Sequence, residues 1–246
     1  QMTENTTRKE FDTMAEPLQW QWDEAQQVGT DYTDVFEVER YERRMGTFRD
    51  LAVEDAAILD MLAVSEGSHI LEIGTGTGHF ARVAAQAGHR VMALDVSPVM
   101  LQYAEQRAKA DGLSGIEWRR TGFLALTAPP ATFDAAVSVV ALHHLPDVWK
   151  AVALHNIRTA MKPGGNFLLG DVVFSDQRDP RPQMEAWIGN MPEAMHKEVA
   201  NHIAKEYSTF DWIMEGLLTR AGFSIRSIDR THAPLIQYLC VAELET

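Results

Sequence analysis

Between residues 68 and 173 the hydrophobic pattern keeps changing its period. Short runs that are apolar throughout, such as "VMALDV" and "AAVSVVAL", alternate with stretches whose apolar residues recur every three or four positions. The first kind suits strands buried on both faces of a parallel sheet, and the second suits helices laid across it. Strands are expected at 69–73, 90–96, 116–120, 133–140 and 166–173. Helix punctuation agrees. Ser97 and Pro98 read as N-cap and first helical residue, Leu101, Ala104 and Ala108 share one face, and Gly112 stands just past the end. Leu154, Ile157 and Met161 form a similar stripe, stopped by "KPGG". The alternation predicts a doubly wound α/β sheet with its ligands at the carboxyl ends of the strands.

The flanks follow other patterns. Residues 1–65 read as an N-terminal helical cap carrying Phe11, Trp20, Trp22, Tyr32, Phe36 and Tyr41, and 66–246 as the main domain. Within that domain, 176–207 reads as an irregular helical insertion. There Met184, Trp187, Met191 and Met195 fall at i, i+3, i+7 and i+11, one face of a helix. "STFDWIMEGLLTRAGF" then reads as a helix capped by Ser208 or Thr209 and closed at Gly222. Strands at 224–229 and 235–243 bring the expected sheet to seven.

Composition narrows the picture without changing it. The 246 residues are 46% hydrophobic and 23% charged, which fits one large α/β domain with an appendage. Gln1 precedes Met2 and is set aside in reading the fold. The opening "MTENTTRKEF" has no apolar core, so no secretory signal is expected, and no run reaches the ~20 apolar residues of a membrane helix. A single cysteine, Cys240, excludes a disulfide framework and a Cys-based zinc site. The expected location is the cytoplasm. A formal charge of −13 argues against nucleic acid, and the basic "ERYERRMGTFR" interleaves Glu39 and Glu42, as a solvated helix face does.

The chemistry is concentrated in "EIGTGTGHF". A strand, a glycine turn and a helix would set free backbone N–H groups at a helix N-terminus. The spacing of Gly74, Gly76 and Gly78 is G-x-G-x-G, with His79 where a dinucleotide fingerprint puts its last glycine. No Gly-Lys-Ser/Thr follows, so a P-loop is excluded. Asp95 ends the second strand 21 residues after Gly74, where an acid can accept from both ribose hydroxyls. The other use for an acid there, capping the next helix, is better served by Ser97. Loop and acid together specify an adenosine ligand, and the spacing argues against a pyrophosphate in it.

"LEIGTGTG", "ALDVSPVML", "FDAAVSVVALHHLPD" and "MKPGGNFLLGDV" resemble, in order and spacing, the successive motifs of class I S-adenosylmethionine-dependent methyltransferases, in particular the bacterial small-molecule branch. The resemblance spans roughly residues 66–175. It implies a Rossmann-like sheet of seven strands with an antiparallel last strand, and S-adenosylmethionine as cofactor with S-adenosylhomocysteine as product. It further implies that Gly74, Thr75, Gly76 and Gly78 pass under the methionine part with Glu72 behind them. Asp95 would bind the ribose, Val96 and Met100 would pack on adenine, and Val140 and Ala141 would lie near the sulfonium. One departure stands out. The family usually carries a Gly-Asp pair after strand three, whose acid accepts from the adenine amino group. Here "RRTGFLAL" puts Gly122 at that place, leaving the backbone of Gly122 and Phe123 to hold adenine.

The partner implied is a small, partly apolar methyl acceptor; a homodimer is left open. His143 and His144, adjacent at the end of strand four, are the candidate catalytic residues, with His143 favoured as base for a hydroxyl and His144 expected to matter more for folding. No metal is expected, since His143, His144, Asp147 and His155 contain no i, i+4 His pair with an acid. The strand-four end "SVVAL" lacks the paired acids of catechol-type enzymes, the Asn/Asp-Pro-Pro-Tyr signature is absent, and Cys240 sits too late for thiol chemistry. Substrate walls are expected from Trp22, Tyr32, Met184 and Trp187, with the insertion as a lid. Two alternatives stay open: a protein that binds S-adenosylmethionine or S-adenosylhomocysteine without turnover, and a nicotinamide oxidoreductase.

Overall fold

The apolar runs build one twisted sheet, seen in a computed structural model that describes residue 14, residues 17–26, 28, 38, 50–175 and 178–244. Strands β1 (His69–Ile73), β2 (Arg90–Asp95), β3 (Ile116–Arg120), β4 (Phe133–Val139) and β5 (Met161–Phe174) run parallel. They alternate with helices α1 (Leu51–Leu62), α2 (His79–Gln86), α3 (Pro98–Ala110) and α4 (Asp147–Ala160). After β5 come α5 (Arg181–Asn190), α6 (His196–Lys205), the two-residue β6 (Thr209–Phe210), α7 (Asp211–Arg220), β7 (Phe223–His232) and β8 (Leu235–Ala242). The order is β3-β2-β1-β4-β5-β8-β7, with β6 beside β5. β8, last in the chain, is antiparallel to both its neighbours, as expected.

Alternation along each strand divides the core into two layers. Ile70, Val91, Ala135, Val137 and Leu168 pack with Ile58 and Leu62 of α1 and Phe80, Ala81 and Ala84 of α2. Leu71, Ile73, Leu94, Ala136, Phe167 and Leu169 face the other way, onto Ala153, Leu154 and Ile157 of α4 and Met214 and Leu218 of α7. So α1, although N-terminal to the expected boundary at 65/66, belongs to the core. Phe11, Tyr32, Phe36 and Tyr41 lie outside the described residues. Among those described, no helix is long and apolar enough to cross a membrane.

The cap of α3 is as read: Ser97 accepts from the Met100 N–H at 3.1 Å, with Pro98 in the first turn. Three readings need correction. β5 starts at Met161 rather than 166, because Met161 already pairs with Phe133; the register then shifts across "KPGG", with Gly164 at φ +82°, before Asn166 pairs with Ala135. Neither Ser208 nor Thr209 caps α7. Its N-cap is Phe210, while Thr209 pairs with Val173 in β6 and donates to Asp147 Oδ2 at 3.1 Å. The Met184–Met195 stripe is not one helix face either. α5 ends at Asn190, Pro192 starts a separate 3-10 turn, and of the four only Met195 is buried.

Candidate active site

Each glycine of the loop after β1 answers a different steric demand. A Cβ on Gly74 would collide with the Ala141 Cβ, which the chain after β4 brings against it. One on Gly78 would lie 2.7 Å from both Ala104 of α3 and the Trp118 ring of β3. Gly76, at φ +52°, would meet nothing and faces open space. The approach of Ala141 to Gly74 depends on Val140, whose φ of +53° is strained for a β-branched residue. Such strain collects at functional sites.

Four N–H groups of this loop are not free, contrary to the sequence reading. Gly74 and Thr75 both donate to Leu94 O at 2.9 Å, Gly76 to Asp95 Oδ2 at 2.8 Å, and Gly78 to Thr75 O at 2.9 Å. These four amides are spent on β2 and on the turn itself and are not offered to a phosphate. His79, in place of a fourth glycine, bonds through Nδ1 to Asp55 Oδ2 of α1 at 2.5 Å and so ties two helices together.

A cleft opens at the carboxyl ends of β1, β2 and β4. Of the residues expected to bind a cofactor, Glu72, Gly74, Thr75, Gly76, Asp95, Val96, Met100, Gly122, Phe123, Val140 and Ala141 line it, and Gly78 packs beneath. Four carboxylates share it: Glu24, Asp55, Glu72 and Asp95. Among the described residues no Lys or Arg lines it. Burial pushes Glu72 up to about 8, against the Thr75 hydroxyl that donates to it at 2.7 Å. Burial also raises Asp95, although it accepts from Ser97 N and Gly76 N at 2.8 Å each.

The two histidines have opposite surroundings. His143 is 2% exposed and does not line the cleft. Its Nδ1 donates to Asp171 Oδ1 at 2.5 Å and its Nε2 to Glu206 Oε2 at 3.2 Å. Burial alone would lower its pKa, but the charges of and hydrogen bonds to Asp171 and Glu206 hold it up, at about 9. Buried outside the cleft with both nitrogens held by carboxylates, His143 has no open nitrogen to offer an acceptor hydroxyl, which speaks against the base role favoured for it. His144 does line the cleft; burial and then the His143 charge beside it push it down to about 3. It is therefore neutral.

The insertion is fastened to this turn rather than spread over the cleft. Tyr207 N donates to His143 O at 2.8 Å, Lys150 Nζ donates to Tyr207 O, and Glu206 also pairs with His202. His143, His144 and Glu206 bring metal-ligand atoms within 4.8 Å of one another, but the His143 nitrogens and the Glu206 carboxylate serve this network. Trp187 packs on Phe174 and His202, and Trp22 on Tyr207; neither they nor Met184 line the cleft. Tyr32 lies outside the described residues. What sequence reading missed is Glu24, Asp55, His79 and the apolar Val28, Leu51, Phe80 and Leu145, all at the cleft.

Known proteins match this chain at both levels. A family model described as a methyltransferase domain matches residues 70–165. An uncharacterized methyltransferase of Geobacillus kaustophilus is 29% identical over 204 residues, covering 80% of this chain and 91% of the relative. The uncharacterized methyltransferase YrrT of Bacillus subtilis is 30% identical over 171 residues, covering 69% and 76%. In fold, the chain is similar to a solved SAM-dependent methyltransferase from Aquifex aeolicus. The TM-score is 0.61 at 18% identity, over 85% of this chain and 98% of that one.

Proposed function

The chain belongs to the class I S-adenosylmethionine-dependent methyltransferase family, and from that premise we propose that it methylates a small, partly apolar molecule using S-adenosylmethionine. The observation that carries the choice of cofactor is the charge of the cleft. Glu24, Asp55, Glu72 and Asp95 line it, no described Lys or Arg does, and the N–H groups of Gly74, Thr75, Gly76 and Gly78 are already bonded. Such a surface repels a pyrophosphate and favours a ligand carrying sulfonium and ammonium charges. This supports S-adenosylmethionine over a nicotinamide dinucleotide.

When bound, the cofactor supplies an activated methyl group on a positively charged sulfur. The protein's part is then alignment and exclusion of water. Each Asp95 oxygen accepts one backbone N–H and keeps a lone pair for a ribose hydroxyl. Glu72, raised to about 8 and so mostly protonated at neutral pH, would lose its proton to solvent as an ammonium approaches, because the opposite charge favours the carboxylate. His144 is too weak a base to drive deprotonation and instead orients the acceptor as a neutral imidazole. Val28, Leu51, Phe80 and Leu145 supply the apolar wall.

Methyl transfer from labelled cofactor to a panel of small hydroxyl, amine and carbon acceptors tests the reading. Turnover on at least one is expected, with a kcat that shows no imidazole step near pH ~6.5. His144→Ala should lower kcat about tenfold through lost orientation while cofactor affinity holds. A step near that pH that vanishes in His144→Ala would restore a general base. Cofactor binding without transfer to any acceptor would favour a binding protein.

A further inference from the structure

Glu24 stands at the cleft although its segment lies outside the matched residues 70–165. Three contacts fix it there. Trp20 stacks on Trp149 at 6.3 Å, Trp22 packs edge-on against Tyr207 at 5.5 Å, and the Glu24 carboxylate caps the loop after β3. Leu124 N donates to Oε2 at 2.9 Å and to Oε1 at 3.1 Å, and Ala125 N to Oε1 at 2.9 Å. Asn156 holds the same loop from behind, donating to Phe123 O at 3.0 Å. A Cβ on Gly122 would run into the carboxylate, so glycine at 122 is what admits Glu24.

The position has a chemical consequence that rests on the cofactor reading above. With the ribose on Asp95, the base attached to it must lie along Val96, Met100, Gly122 and Phe123, which line the same side of the cleft. The edge of that base then meets Glu24. A carboxylate has about four acceptor sites, and the N–H groups of Phe123, Leu124 and Ala125 take three, leaving one for a donor on the ligand. A 6-aminopurine presents a donor there, whereas a 6-oxopurine presents a second acceptor and is repelled.

We propose that Glu24 is a specificity residue reached from outside the doubly wound domain, which reads the 6-amino group of the purine and makes the cleft select an adenosine cofactor. Glu24 is not a brace alone: a brace would affect all ligands alike.

The test compares dissociation constants of S-adenosylhomocysteine and its 6-oxo analogue, S-inosylhomocysteine, for the wild-type chain, Glu24→Gln and Glu24→Ala. The wild type should prefer the amino compound by at least about tenfold, the size of one hydrogen bond to a charged group. Glu24→Gln, which keeps the shape and can donate to a 6-oxo group, should bring the ratio within about threefold or reverse it, and Glu24→Ala should abolish it. Weaker binding of both compounds with the ratio intact in Glu24→Gln would overturn the proposal and leave Glu24 a brace. Equal binding of both by the wild type would overturn it while sparing the cofactor reading. Binding of neither by the wild type would overturn both.

Discussion

His143→Ala lowers the unfolding free energy at pH 6 by about 3–5 kcal/mol, because it leaves two buried carboxylates without their shared cation. The side chains of Asp171 and Glu206 are buried, and His143 donates to each. The pH dependence separates this from loss of packing. His143 is held at about 9, above its ordinary value, so its contribution is complete below pH ~6.5 and fades as pH rises through 9. Asp171 and Glu206 are held below the usual carboxylate range, against burial, by the His143 charge and, for Glu206, by His202 as well. Their contribution is present above pH ~4.5 and is lost as pH falls. Glu72, raised to about 8, adds a separate decline between pH ~4.5 and 8. That decline is common to wild type and variant, so the difference between them isolates the His143 network. Urea titrations from pH 5 to 9.5 should show the gap widest near pH 6 and shrinking above 8. A gap independent of pH would mean that only packing was lost.

Asp95→Ala is expected to weaken S-adenosylmethionine binding by about 3 kcal/mol, more than a hundredfold, since two hydrogen bonds to a charged group are removed together. Two further partners are left without an acceptor: the N–H groups of Gly76 and Ser97, now bonded to this carboxylate at 2.8 Å. The glycine turn loosens where it should be fixed. Asp95→Asn keeps one carbonyl acceptor and should fall between alanine and wild type. Calorimetric titration of the folded variants checks the order, and undiminished affinity in Asp95→Ala would remove this residue from the ribose site.

These two residues show where sequence reading holds and where it stops. Asp95 was legible because everything that identifies it is local: an apolar run, a terminal acid, then Ser-Pro opening a helix. The sheet was legible for the same reason, each strand announcing itself within a few residues. The role of His143 was not, because it depends on Asp171, 28 positions on, and on Glu206, which arrives from the insertion. Glu24 was invisible for the same reason at greater range, since its partners lie 100 residues further along the chain. The supposedly free glycine-loop amides failed differently: the acceptor Leu94 O belongs to the neighbouring strand, and pairing between strands leaves no local trace. The methionine stripe was a misjudged local signal. Pro192 stood within the spacing and breaks the helix, as a residue with no N–H to donate must.

An acidic cleft that no described Lys or Arg lines should take a cationic adenosine cofactor. Calorimetry of the wild-type chain against S-adenosylmethionine, S-adenosylhomocysteine and NAD tests it most directly. Saturable one-site binding of the first two, with no heat from NAD, is the predicted result. NAD binding as tightly as S-adenosylmethionine, or neither adenosine compound binding at all, would contradict it.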